Sequence, residues 1–182
     1  MHRRTAIKKL GLITGGLIFL PSCNFSEEKA SIVLKNLQIT AKQEEIIKNM
    51  VSVIIPEGDI PGAGSLGVDN FVWIMIDDML SKERQKKFIK GLDLFNSEVT
   101  KKHGSSFEKL NKEDQLKALL NIYKNTKSSE ISGFITTTRN LVRQGYMQSK
   151  YIMTEIMPYP LVPGSFGNCE EINPEKRINI YG

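Results

Sequence analysis

The sequence contains few of the side chains on which catalytic and metal sites depend. Among its 182 residues are two histidines, two cysteines and one tryptophan. His2 lies in the basic N-terminal leader, which leaves His103 alone for a folded domain. His103 falls near a predicted helix C-terminus, where free carbonyls attract it. One imidazole cannot build a Ser–His or histidine-rich metal site without unusual partners. We therefore expect no catalytic residue, no metal and no cofactor on this chain.

The sequence also lacks an apolar run long enough to cross a membrane. The longest such stretch, Leu10–Leu20, has eleven residues, whereas a spanning helix needs about 20. A basic segment precedes this stretch and Pro21-Ser22 follows it, an arrangement typical of a signal peptide. Residues 1–22 are therefore predicted to be a signal peptide that takes no part in the folded domain.

Two arginines indicate the export route. The pair Arg3-Arg4, with Lys8 behind it, resembles the twin-arginine motif of signals that export folded proteins. Ala6 stands where that motif prefers phenylalanine. The alternative is an ordinary secretory signal whose basic region happens to contain two arginines. By either route, the mature chain is predicted to lie on the periplasmic side of a membrane.

The two cysteines suggest how the mature chain is attached. The run from Leu20 to Cys23 resembles a lipobox, in which the cysteine is acylated and becomes the new N-terminus. Residues 23–39 would then be a lipid-anchored tether for a single helical domain over residues 40–182. With Cys23 acylated, Cys169 has no partner within the chain, which suggests a disulfide to another chain or a free thiol. Without acylation, a Cys23–Cys169 bond becomes available.

The positive charge of the chain is concentrated in the leader. The formal net charge is +5, but four of the 25 basic residues lie in residues 1–22, which contain no acidic residue. The mature chain keeps 21 basic and 20 acidic residues, a formal charge of +1. A nearly neutral protein gives no support to nucleic-acid binding, which we therefore do not expect.

Apolar residues at helical spacing predict an all-α, compact bundle of about five or six helices. Thr40 and Gln43 form a capping box at the start of a helix over residues 41–55. Further helices are expected over 68–80, from Ser81 to about Lys102, from Asn111, from Ser128 or Ser129 to Gln144, and over 149–157, with a long coil from Pro158 onward. The side chains predicted to face the core are Ile46, Ile47, Met50, Val51, Ile54, Phe71, Val72, Met75, Ile76, Met79, Phe88, Leu92, Phe95, Leu116, Leu119, Leu120, Tyr123, Ile131, Phe134, Ile135, Thr138, Leu141 and Val142.

Residues 56–67, PEGDIPGAGSLG, contain four glycines and two prolines and are predicted to be a loop. Gly62–Gly67 matches G-x-G-x-x-G, but a dinucleotide site needs these glycines directly after a strand. Here Pro56–Pro61 follow a predicted helix, which favours a tight surface loop. The adjacent Asp77-Asp78 would point about 100° apart on a helix, which is a poor arrangement for paired carboxylates. One of them is expected to face solvent.

Two segments carry a family resemblance. The first runs from Ile54 to Val72 and includes the glycine-rich loop, and the second is Gly145-Tyr146 with Pro163–Cys169. Together they resemble the gluconate 2-dehydrogenase subunit 3 family over roughly residues 40–170. The sequence departs from the family at Met147–Lys150, where members usually have an aromatic–Thr–Ser–Glu run.

The resemblance implies a role within a complex. Members of this family are small, non-catalytic subunits of periplasmic, FAD-dependent sugar or sugar-acid dehydrogenases. The FAD is on a large flavoprotein of the glucose–methanol–choline (GMC) type, and a c-type cytochrome often takes the electrons. By this resemblance, the chain would bind the flavoprotein, supply the export signal of Arg3, Arg4 and Lys8, and stay bound outside.

Coils rich in proline and glycine can follow the contour of a neighbour at low ordering cost, so the loop and the tail over 158–170 are the predicted partner-facing surface. The predicted loop residues are Pro56, Gly58, Asp59, Pro61, Gly62 and Gly64. The alternative is plain connecting coil. Two other functions stay open, namely a stand-alone periplasmic helical lipoprotein that binds a ligand or another protein, and an independent enzyme.

Overall fold

The computed structural model describes residues 29–157, which form an all-α bundle as the sequence predicts. The α-helices are α1 (Ala41–Ile54), α2 (Val68–Met79), α3 (Lys82–His103), α4 (Lys112–Asn125) and α5 (Ser129–Met147). A 3-10 turn at Phe107–Lys109 precedes α4, and a π-helical turn at Ile152–Ile156 follows α5. No helix within this described region is both long and apolar enough to cross a membrane. The predicted leader, Cys23, Cys169 and the segment from Pro158 that is predicted to be coil lie outside the described residues.

Side-chain caps determine where most of the helices begin. Thr40 Oγ1 accepts a hydrogen bond from Gln43 N at 3.2 Å, and Gln43 Oε1 accepts one from Thr40 N at 3.1 Å. This is the predicted capping box, in which two free amides are satisfied reciprocally. Gly104, with a φ of +71°, ends α3 in the left-handed conformation that glycine adopts without strain. The side-chain oxygens that cap α3, α4 and α5 belong to Ser81, Asn111 and Ser128.

A continuous row of aromatic rings occupies the centre of the bundle. Trp73 on α2 meets Phe88 on α3 edge-on with ring centroids 6.1 Å apart, and Phe88 lies 5.0 Å from Phe134 on α5. Phe134 in turn lies 5.6 Å from Phe95, which packs edge-on against Phe107 at 5.2 Å. All five rings are buried. Edge-to-face pairs add to the energy of burial, so this row ties α2, α3 and α5 together.

Helices α3 and α5 approach each other most closely at Gly91. A Cβ atom at this position would lie 2.5 Å from the Glu130 carbonyl oxygen and 2.7 Å from Phe134 Cβ. Because a backbone atom is the nearest obstacle, no side-chain rotation could make room for it. Glycine at position 91 is therefore a condition for the packing of these two helices.

The predicted inward face of α4 is correct at Leu119 but wrong at its other three residues. Its buried side chains are Ala118, Leu119 and Ile122 together with Gln115, whereas the expected core residues Leu116, Leu120 and Tyr123 are 44%, 46% and 41% exposed. The reason is the Gln115 side chain, whose Nε2 donates to Phe107 O at 3.0 Å and to Asn49 Oδ1 at 3.2 Å. These bonds turn the Gln115 face of the helix inward.

Met79 on α2 was also expected in the core but is 70% exposed. The buried face of this helix passes instead through Val72, Trp73, Ile76 and Asp77. Asp77 takes the inward position at the end of α2 because its carboxylate has backbone amides to bind there. Asp78 is exposed, so one member of the acidic pair faces solvent as predicted.

The Asp77 partners belong to residues 29–39, which we call the N-terminal strap. Asp77 Oδ2 accepts a hydrogen bond from Lys35 N at 2.7 Å, and Oδ1 accepts one from Asn36 N at 2.9 Å. Ser31 donates from its amide and hydroxyl to the Glu44 carboxylate at 2.6 and 2.5 Å. Four apolar side chains of the strap pack against the core, namely Ile32, Leu34, Leu37 and Ile39. Much of the segment predicted as a tether therefore lies against the helices.

Replacing Asp77 by asparagine should release the strap. The amide offers one acceptor oxygen in place of two charged ones, so we expect the free energy of unfolding to fall by about 1–3 kcal/mol. The matched control is Asp78→Asn, which alters only an exposed, 4.0 Å contact with Lys35 and should change stability by less than about 0.5 kcal/mol. Urea denaturation measures both variants, and equal effects would contradict the role given to Asp77.

A second pair of variants tests the close approach of α3 and α5. Gly91→Ala should destabilise the domain by about 1–3 kcal/mol because the new methyl group meets the α5 backbone. Gly133→Ala, inside α5, adds a methyl group with no atom within 4 Å and should stabilise by about 0.5–1 kcal/mol. Thermal unfolding followed by circular dichroism measures both. A stabilising Gly91→Ala would show that the helices are not in close contact.

Candidate partner-binding surface

The loop between α1 and α2 has an exposed half and a buried half. Its tip, Pro56–Asp59, is exposed, and Gly62 and Ala63 beyond it are buried. Of the residues predicted to face a partner, Pro56, Gly58 and Asp59 are therefore exposed, Pro61 and Gly64 are half-buried, and Gly62 is covered. The tip could therefore meet another protein without rearrangement of the loop.

Glu57 organises this loop from its exposed tip. Its Oε2 accepts a hydrogen bond from Gly62 N at 2.8 Å, and its Oε1 accepts one from Ser65 Oγ at 2.6 Å. The Gly62 amide, followed by the Ser65 hydroxyl, lowers the pKa of the Glu57 carboxyl below its ordinary value. The Glu57 carboxylate thus closes the loop by binding a backbone amide and a hydroxyl of the same loop.

The glycines of the loop are required by its own packing. A Cβ at Gly62 would lie 2.8 Å from Glu57 N, and one at Gly64 would lie 2.6 Å from Ser52 Oγ. Gly67 has a φ of +68°, which allows the chain to turn into α2. The G-x-G-x-x-G run follows helix α1 and the loop tip, as predicted, and not a strand. It therefore lacks the geometry of a dinucleotide-binding turn.

The Gly145-Tyr146 pair, which belongs to the second segment of the family resemblance, meets the first segment in space. Tyr146, near the end of α5, donates a hydrogen bond from its hydroxyl to Pro61 O at 3.0 Å. At the preceding Gly145, a Cβ would lie 2.5 Å from Phe71 Cδ1, so α5 rests directly on α2 here. Burial, with smaller contributions from Tyr151 and Glu57, raises the pKa of the Tyr146 phenol and keeps it a hydrogen-bond donor. The Gly145-Tyr146 pair thus anchors the loop to α5.

No cluster of three or more His, Cys, Asp or Glu side chains that could hold a metal ion occurs between residues 29 and 157. A groove of about 510 Å³ between α3 and α5 has Phe88 and Phe134 among its lining. Two of its three cations are paired with carboxylates, since Lys87 contacts Glu83 at 2.8 Å and Lys90 contacts Glu130 at 3.0 Å. His103 is the last residue of α3 and is exposed.

Sequence reasoning missed the residues that order the loop. Glu57 is flanked by proline and glycine, and nothing in its local sequence shows that its carboxylate reaches Gly62 and Ser65. Tyr146 is 85 residues from the carbonyl that it binds. The signal that could have linked them is the resemblance itself, because both segments contribute to it.

Glu57→Gln should loosen the loop. We expect the Gly62 amide to exchange with solvent faster, because a neutral amide is a weaker acceptor than a carboxylate. The wild-type protein should lose the same protection in acid. Because the folded pKa of Glu57 is lowered, the interaction is present above the ordinary pKa of a glutamate and is lost as pH falls through the folded value.

Protection factors of Gly62 from hydrogen exchange, measured across this pH range, give the result. The matched control is Asp59→Asn at the same exposed tip, which should leave the Gly62 protection unchanged. Equal protection in wild type and Glu57→Gln would show that the carboxylate does not hold the loop.

Comparison with known proteins places these features in a family. The family model described as gluconate 2-dehydrogenase subunit 3 matches residues 41–164, a span that contains all five α-helices, the loop and Gly145-Tyr146. No curated protein and no solved structure matches the chain. The family match covers more than half of the sequence and agrees with the resemblance noted from the two segments. The chain therefore belongs to the gluconate 2-dehydrogenase subunit 3 family.

Proposed function

We propose that this chain is the non-catalytic small subunit of an exported, FAD-dependent GMC-type sugar or sugar-acid dehydrogenase. It stabilises the flavoprotein subunit and supplies the export signal for the complex. The observation that carries the proposal is the family match, which spans every helix of the bundle. Because the family is one of dehydrogenase subunits, membership implies association with the other subunits of such a complex.

The side chains of the helical domain support an accessory role. Two carboxylates within residues 29–157 have structural roles, since Asp77 holds the strap and Glu57 closes the loop. The G-x-G-x-x-G run resembles a phosphate-binding turn in sequence. Its glycines at 62 and 64 are instead packed closely against neighbouring atoms of the same domain. In this proposal FAD is on the large partner and none is on this chain.

The exposed loop tip is a suitable contact for that partner. Its backbone is held by Glu57, while Pro56, Gly58 and Asp59 remain accessible. A surface that is ordered before binding loses less conformational entropy when a complex forms. The tip can therefore contribute to affinity although it is small.

The leader and the cysteines complete the proposal. The twin-arginine route carries folded proteins. This suits a subunit that binds its partner in the cytoplasm and supplies the export signal of Arg3, Arg4 and Lys8 for both chains. Acylation of Cys23 would then hold the complex on the periplasmic side of a membrane. In the same proposal Cys169 forms a disulfide with the partner chain, and a c-type cytochrome accepts the electrons.

A single experiment tests the subunit role and the export role. The full chain with a C-terminal tag is purified from its native host, beside an Arg3→Lys, Arg4→Lys double variant that keeps the charge of the leader. We expect the wild-type chain to be recovered from the periplasmic side as a yellow complex with a large flavin-bearing chain. The double variant should leave both chains in the cytoplasm. Lys9→Arg, outside the arginine pair, is the control and should export normally.

The alternatives give different results. A colourless wild-type chain recovered without a flavoprotein would support a stand-alone lipoprotein and contradict the subunit role. Normal export of the double variant would contradict only the twin-arginine route, because an ordinary secretory signal tolerates lysine in place of arginine. The subunit role would stand. Turnover of sugar by the purified chain would support an independent enzyme.

A further inference from the structure

Helices α4 and α5 share an exposed face that the packing of the domain does not explain. Leu116, Leu120 and Tyr123 lie at positions i, i+4 and i+7 of α4, so they form one stripe along the helix. The helix is held to the bundle by the neighbouring face, through Gln115, Ala118, Leu119 and Ile122. Among residues 29–157, the stripe therefore adds apolar surface that the packing of the helices leaves exposed. Contiguous apolar surface of this kind typically marks a site of interaction.

Tyr123 is fixed in place by a basic neighbour on α5. Arg139 Nη1 donates a hydrogen bond to the Tyr123 hydroxyl at 3.2 Å, and the guanidinium carbon lies 5.4 Å from the centre of the ring. The cation–π contact and the hydrogen bond order the side chains of Tyr123 and Arg139 before a partner binds. Less conformational entropy is then lost on binding. Tyrosine and arginine are also the side chains that most often anchor protein interfaces.

The face carries charge of one sign. From Gln115 to Asn125 on α4, and from Ile131 to Met147 on α5, the sequence contains four basic residues and no acidic one. Lys117 contacts Glu113 and Asp114 at the start of α4, each at 3.9 Å. The other three cations are Lys124, Arg139 and Arg143, and none of them makes an ion pair within the described residues. A partner for this face needs acidic groups around an apolar centre.

The face also adjoins the exposed loop tip. The charge of Lys112, the first residue of α4, helps to lower the pKa of the Glu57 carboxyl, after the larger effects of Gly62 and Ser65. At the corresponding end of α5, Tyr146 binds Pro61 O. The start of α4 and the end of α5 thus both lie near the loop, so the stripe and the tip can contact one partner together.

We propose that the α4–α5 face, formed by Leu116, Leu120, Tyr123, Arg139 and Arg143, is where the large flavoprotein subunit docks. The matching surface of the flavoprotein is apolar at its centre and acidic at its rim. This inference rests on the proposed function, since it takes the occupant from the subunit role. It moves the main contact area from the loop to the helices, with the loop tip at one edge.

The test uses the tagged full chain and the flavin-bearing chain that copurifies with it. Leu120→Asp should reduce the amount of flavoprotein captured at least about tenfold. Ile74→Asp is the matched control, because Ile74 is 48% exposed on α2, and it should capture as much as the wild type. Arg139→Glu should also weaken capture about tenfold, whereas Lys86→Glu on the exposed side of α3 should not. Melting curves of the isolated variants confirm that each one folds.

Each result decides between the possible occupants. If Leu120→Asp and Arg139→Glu both capture the wild-type amount, the α4–α5 face is not the docking site even though the subunit role stands. If the wild type captures no flavoprotein, the proposed function and this inference both fail.

Two further measurements identify other occupants. Self-association of the isolated chain that Leu120→Asp abolishes would assign the face to a second copy of the chain. Protection of α4 from hydrogen exchange in the full chain, lost in a chain ending at Met157, would assign it to residues 158–182. Either result would overturn the assignment to the flavoprotein.

Discussion

The contact between α3 and α5 at Gly91 is the constraint on which the rest of the domain depends. Because the Glu130 carbonyl occupies the space of a side chain at position 91, the two helices meet backbone against backbone. This closeness lets Phe88 and Phe134 interlock at the centre. It also directs the far end of α5 toward the glycine-rich loop, where Tyr146 reaches Pro61. The candidate surface is therefore positioned by packing at the opposite end of α5.

Local signals predicted the helices well because a cap is satisfied within a few residues. Thr40 and Asn111 begin their helices where the sequence places them, each through an amide three positions ahead. The buried faces were harder because they depend on partners far along the chain. Gln115 turns its side of α4 inward by binding Asn49, 66 residues away. Asp77 is buried for a similar reason, since the amides that it accepts are 41 and 42 residues earlier.

The candidate site was predictable in outline only. Its glycine and proline content predicted a loop, and the resemblance predicted the family, which the family match confirms. Which half of the loop is exposed depends on the Glu57 carboxylate and could not be deduced from spacing. Apolar periodicity predicts that the exposed stripe on α4 is core, because periodicity cannot distinguish a face buried in the domain from one that stays exposed. Arg3, Cys23 and Cys169 lie outside the described residues, and their roles stay predictions.

The central claim is that this chain stabilises the flavoprotein subunit of a dehydrogenase and that the redox chemistry takes place on that flavoprotein. The most direct measurement separates the purified complex into its chains under mild conditions and follows the flavin and the sugar-oxidising activity with an artificial electron acceptor. We expect all of the flavin to stay with the large chain, and the small chain alone to bind no added FAD and oxidise no sugar. Flavin that remains with the small chain, or turnover by that chain alone, would contradict the claim.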